Sequence, residues 1–124
     1  MKWMVATLVA LVPVAGHADK LFKKATNETW DCAKDAVVRI NQSKGTFGFL
    51  GECKRITVSG SKNVLSVASV GKLVVGGRDN LVQVEEVDSI AVSGRSNQVT
   101  WTKAKKGDKP KVTKGQGNRV DKKK

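Results

Sequence analysis

The stretch that decides the fold is VSGSKNVLSV, residues 58–67, because the chain restates it twice, as VVGGRDNLVQV at 74–84 and AVSGRSNQVTW at 91–101. Equivalent residues stand a constant 17 apart: Ile56, Leu73 and Ile90; Val58, Val75 and Val92; Gly60, Gly77 and Gly94; Asn63, Asn80 and Asn97. Leu65, Val82 and Val99 form a further column, Val67, Val84 and Trp101 another, and Val70 and Val87 a last one. A fixed period of this kind, kept by five apolar columns together with Gly and Asn, marks a solenoid or array.

Within each unit apolar residues alternate with Thr57, Ser59 or Ser66, and period two with β-branched residues means strand. Seventeen residues at about 3.3 Å each trace a loop of roughly 56 Å, suited to one turn of a β-helix whose turns stack at about 4.8 Å. A meander of antiparallel hairpins tolerates the period but does not require the same residue at every corner. The sequence therefore predicts an all-β fold: a small parallel β-solenoid with 17-residue turns and a disulfide-stapled N-terminal cap. At the corners GSKN, GRDN and GRSN, Gly supplies a strained backbone position and Asn tolerates positive φ. Stacked asparagines can also form an amide ladder, so Gly60, Asn63, Gly77, Asn80, Gly94 and Asn97 read as a structural turn ladder.

This array resembles the exported bacterial repeat family catalogued as domain of unknown function 3060. The likeness extends to the upstream cysteine pair and to a last GxxN echo at Gly115-Gln116-Gly117-Asn118-Arg119-Val120, covering roughly residues 30–121. Lys62, Arg78 and Arg95 depart from the small polar residues expected there, as does the lysine-rich C-terminus. The resemblance implies a β-solenoid outside the cytoplasm and no activity.

The N-terminus carries Lys2, an apolar run from Trp3 to Val12, Pro13, and small residues at Gly16 and Ala18. That pattern reads as a signal peptide over 1–18, the run being shorter than the roughly 20 residues needed to span a bilayer. The expected localisation is exported, periplasmic or secreted. Cys32 and Cys53 are the only cysteines, and in an oxidising compartment such a pair reads as a disulfide, worth about 3 kcal/mol in the chain-entropy account. The one histidine, His17, falls in the signal peptide, so neither a metal site nor a cysteine nucleophile has support, and no cofactor is expected.

The organisation read from the sequence is a signal peptide (1–18), a cap with an irregular first turn (19–55), a three-turn repeat (56–102), and a lysine-rich segment with a final strand (103–124). Val38, Ile40, Phe47, Phe49 and Leu50 are expected to line the first turn, with Trp30 as its plug and Trp101 in the interior. Lysines and Pro110 near the last strand suit an edge that must not pair. The glycosylation sequons at Asn27 and Asn41 are too short to carry weight.

Net charge is +12. Residues 103–124 hold nine Lys and one Arg against Asp108 and Asp121, hence +8, whereas residues 19–102 carry only +3. Such asymmetry suits attraction to a polyanion. The anion-binding candidates are Arg78, Arg95, Lys103, Lys105, Lys106, Lys109, Lys111 and Lys114. Expected partners are an anionic surface or polymer, such as lipopolysaccharide, acidic polysaccharide or anionic lipid. Sequence-specific nucleic-acid recognition lacks both motif and aromatic platform. The expected function is thus a non-enzymatic exported module. A carbohydrate-active enzyme or carbohydrate-binding β-helix is the alternative, but it needs converging acids, and Glu85, Glu86 and Asp88 form the one acidic cluster. A calcium β-roll needs Gly and Asp to recur, and GSKN and GRSN lack the aspartate.

Overall fold

In the computed structural model, residues 20–24 and 26–123 are described; the expected signal peptide, with His17, lies outside them. The alternation of apolar and polar residues folds as strand throughout. The strands are β1 (Lys20–Phe22), β2 (Asn27–Asp31), β3 (Val37–Asn41), β4 (Thr46–Ser59), β5 (Val64–Val75), β6 (Leu81–Val92), β7 (Gln98–Ala104), β8 (Lys111–Lys114) and β9 (Arg119–Lys122). Every pairing between them is parallel, which excludes the hairpin meander.

The chain coils six times. On the first face β1, β3, the C-terminal halves of β4, β5 and β6, and β8 stack in order. On the second face β2, the N-terminal halves of β4, β5 and β6, then β7 and β9 do the same. Each coil runs from a first-face strand through a corner to a second-face strand, then bends into the next coil.

Register places the repeat columns one above another: Ile56 beside Leu73, and Leu73 beside Ile90; Leu65 beside Val82, and Val82 beside Val99. These side chains are buried and form one continuous core. Burying them supplies the main driving force, about 25 cal/mol per Å² removed from water. The period holds at 17 only in the middle of the rod. Val38 pairs with Ile56, 18 residues on, and a bulge between Phe49 and Glu52 absorbs the extra residue. Ile90 pairs with Val112, 22 residues on, because the loop 105–110 interrupts the last coil.

The N-terminal segment is more regular than its sequence suggests. It forms two coils, with Val38, Ile40, Phe47 and Phe49 buried in the repeat columns as expected. Leu50 is the exception: it lies 53% exposed, because it follows inward Phe49 on the pleat and so faces outward, as Ala68 and Glu85 do after Val67 and Val84. Cys32 and Cys53 form the disulfide, with Cα atoms 5.1 Å apart. Cys53 sits in register with Val70 and Val87, so the bridge occupies an interior column.

Both ends of the rod use one device. In the first coil Lys20 and Glu28 occupy register positions that are apolar one coil further in (Val38 and Phe47). In the last coil Lys114 and Lys122 do the same beside Val92 and Trp101. At each end one lysine lies over a tryptophan ring, Lys20 at 4.7 Å from the Trp30 centroid and Lys122 at 5.7 Å from that of Trp101. Charge in an interior column denies the open edge to another sheet, while the alkyl stem and ring shield the core. Trp30 is half-buried against Phe22, edge to face.

Candidate functional site

The corners between the two faces fix every side chain along one edge of the rod. Gly60, Gly77 and Gly94 adopt φ of 106°, 77° and 81°. A Cβ on Gly77 would fall 1.8 Å from the carbonyl oxygen of Gly60, and one on Gly94 equally close to that of Gly77. Only glycine permits coils to stack this tightly. The residue two places on is left-handed in the second to fifth coils: Lys44, Lys62, Asp79 and Ser96 have φ between 57° and 64°.

Asn63, Asn80 and Asn97 follow, turned inward and buried. Each Nδ2 donates to the Oδ1 of the next asparagine, at 3.2, 3.0 and 3.1 Å, the last acceptor being Asn118. The same Oδ1 atoms accept the backbone N–H of the preceding asparagine. The ladder closes at both ends without a further asparagine. The Gly45 N–H donates to Asn63 Oδ1 at 3.0 Å, and Asn118 Nδ2 donates to the carbonyls of Gly94 and Gly115. The expected amide ladder is therefore present, one rung longer than the three clear repeats.

Because the corners superpose, their outward residues form two columns. Ser61 pairs with Arg78, and Arg78 with Arg95, as parallel bridges, while Ser43 Oγ lies 3.1 Å from Ser61 Oγ. Beside them run Lys44, Lys62, Asp79 and Ser96. Four cations and one acid thus share this edge, and none of the five takes part in an ion pair among the described residues. A shallow groove lined by Gly60, Ser61, Gly77, Arg78, Gly94 and Arg95 runs along it.

Sequence reasoning found Arg78 and Arg95 here but not Lys44. In the second coil the corner reads Gln42-Ser43-Lys44-Gly45, with Gln in the glycine position and Gly in the asparagine position. The usable signal was the Ser-Lys pair at 43–44 and again at 61–62.

The other candidates lie elsewhere. Lys103 stands in register beside Glu86 at the opposite bend, and Lys105 pairs with Glu52 at 3.7 Å. Lys106 and Lys109 belong to the loop 105–110, and Lys111 and Lys114 begin and end β8. The C-terminal segment is not an appendage: β8 pairs with β6, β9 pairs with β7, and Asn118 ends the ladder. The eight candidates therefore divide into an arginine edge and a lysine-rich end.

Glu85, Glu86 and Asp88 all lie on β6. Glu86 accepts a hydrogen bond from Ser69 Oγ at 3.2 Å, and Glu85 is exposed one residue before it in the same strand. Among the described residues no group of three or more His, Cys, Asp or Glu is placed to hold a metal.

A family model described as a protein of unknown function, DUF3060, matches residues 40–82 and again 69–119. The chain belongs to this family. The overlapping matches span coils two to six, the part built from the corner repeat. Neither the curated proteins nor the solved structures contain a match to the chain.

Proposed function

We propose that this DUF3060 protein is an exported, non-enzymatic module that holds an anionic envelope surface or polymer by charge. The carrying observation is the end of the rod: from Lys103 to Lys123 nine basic residues face Asp108 and Asp121, a surplus of seven. Among the described residues two of the nine are paired with an acid, Lys105 with Glu52 and Arg119 with Asp121. Unpaired cations concentrated at one end give the rod an electrostatic direction and speed its encounter with a polyanion. The disulfide supports an oxidising compartment. Glu86 is engaged by Ser69 Oγ, which favours binding over a hydrolysis that needs two carboxyl groups flanking one bond.

The test is binding of the mature protein to lipopolysaccharide and to heparin across a salt series. Deleting residues 103–124 would unroof Trp101 and cut the ladder, so charge is better removed by Lys106→Gln, Lys109→Gln and Lys111→Gln together, at exposed positions. Wild-type affinity should fall log-linearly with salt, and the triple variant should flatten the slope by about two to three. Absence of binding at low salt overturns the reading.

A further inference from the structure

The lysine-rich end accounts for attraction but supplies no register, whereas the glycine–arginine edge does. We propose that this edge is a built site for consecutive carboxylate or sulfate groups of a linear acidic polysaccharide lying along the rod axis, an inference that rests on the polyanion reading above and names its ligand class. Lys44, Lys62, Arg78 and Arg95 sit on four successive coils, one cation per coil. At about 4.8 Å per coil they span roughly 14 Å, a rise close to one sugar unit per cation. Their backbones are held by the asparagine ladder and the stacked glycines, so the spacing is set before any ligand arrives.

Arg78 and Arg95 lie in register, where neighbouring guanidinium groups repel unless an anion lies between them. Each offers a planar fork that grips a carboxylate or sulfate at two points. The groove between them has no side chain on its glycine wall, and among the described residues no acceptor takes the N–H groups of Gly77 and Gly94. Those N–H groups remain available as donors beside the arginines. Asp79, the one acid, engages none of the cations.

The experiment uses a heparin tetrasaccharide, long enough for the four cations of this edge, whereas Lys106 and Lys109 lie in the loop 105–110 that follows the opposite bend. Arg78→Gln/Arg95→Gln is compared with the charge-matched Lys106→Gln/Lys109→Gln, at equal ionic strength, with long-chain heparin in parallel. These side chains make no ion pair, and both doubles should melt within a few degrees of wild type. The arginine double should lose at least tenfold in tetrasaccharide affinity and the lysine double less than threefold. Equal losses, or a tetrasaccharide that fails to bind while long-chain heparin binds, overturn the site and leave the polyanion reading standing. Failure of wild type to bind either probe at low salt overturns both.

Discussion

Asn80 meets Asn97 twice at one atom: its Nδ2 and its backbone N–H donate to the same Oδ1, at 3.0 and 3.1 Å. That oxygen has little access to water, since Asn97 is 1% exposed. The asparagine column is thus a chain of satisfied buried amides, and buried polar networks stabilise only when complete.

Replacing Asn80 by Ala leaves the backbone and side-chain N–H groups of Asn63 without their acceptor. A buried donor left unsatisfied costs about 1–3 kcal/mol, so Asn80→Ala should cost about 3 kcal/mol and lower the melting midpoint by more than about 10 °C. Asn118→Ala should cost about half as much, because Asn118 is the last rung, 6% exposed, and removing its side chain opens the Asn97 donors to water. Chemical denaturation of the two variants measures the ratio.

Gly77→Ala should prevent folding. Its Cβ would meet the Gly60 carbonyl oxygen at 1.8 Å, and a loss above about 4 kcal/mol is expected from such a backbone collision. Gly107→Ala is the control. Its φ is also positive, at 71°, but nothing lies within 4 Å, so only the left-handed penalty of about 1 kcal/mol applies. Soluble yield and circular dichroism separate the two.

Removing the disulfide with Cys32→Ser/Cys53→Ser should cost about 2–5 kcal/mol. The loss should be local as well as global. Amide exchange should rise first in β1 to β3, which the bridge ties to the coil above, while the middle coils keep their protection.

Lys114→Val/Lys122→Val should make the rod associate end to end. These two lysines hold interior register positions beside Val92 and Trp101, and replacing them completes the apolar columns at an open edge. The first coil keeps Lys20 and Glu28 in its columns, so only one end is opened, and two rods meeting there through the same edge close as a dimer. Light scattering should show a concentration-dependent doubling of mass for this variant, and Lys106→Val/Lys109→Val, in the loop, should keep the wild-type mass.

The middle of the rod was legible because identical residues recur at identical spacing: Ile56, Leu73 and Ile90 admit one stacking. Its ends were less so. Lys114 and Lys122 interrupt the apolar pattern that defines an interior column, so the final coil reads as a basic tail although Val112 and Val120 complete two columns. The second-coil corner was hidden because Gly45 needs no side chain to cap the ladder, its N–H being enough. The anion edge was half visible. Arg78 and Arg95 announce themselves by period, whereas Lys44 joins them only through the 18-residue coil that a single bulge creates.

Each coil carries its own corner and its own share of the core, four of the six add a ladder asparagine, and each hydrogen-bonds its strands to its neighbours. The rod is therefore measured in whole coils. A duplicated 17-residue unit lengthens it by about 4.8 Å while leaving the two sealed ends untouched, as a carpenter's rule gains a segment. Reach becomes a heritable quantity that changes in steps, and with each step the edge gains one more position at which a charge can be placed or withheld.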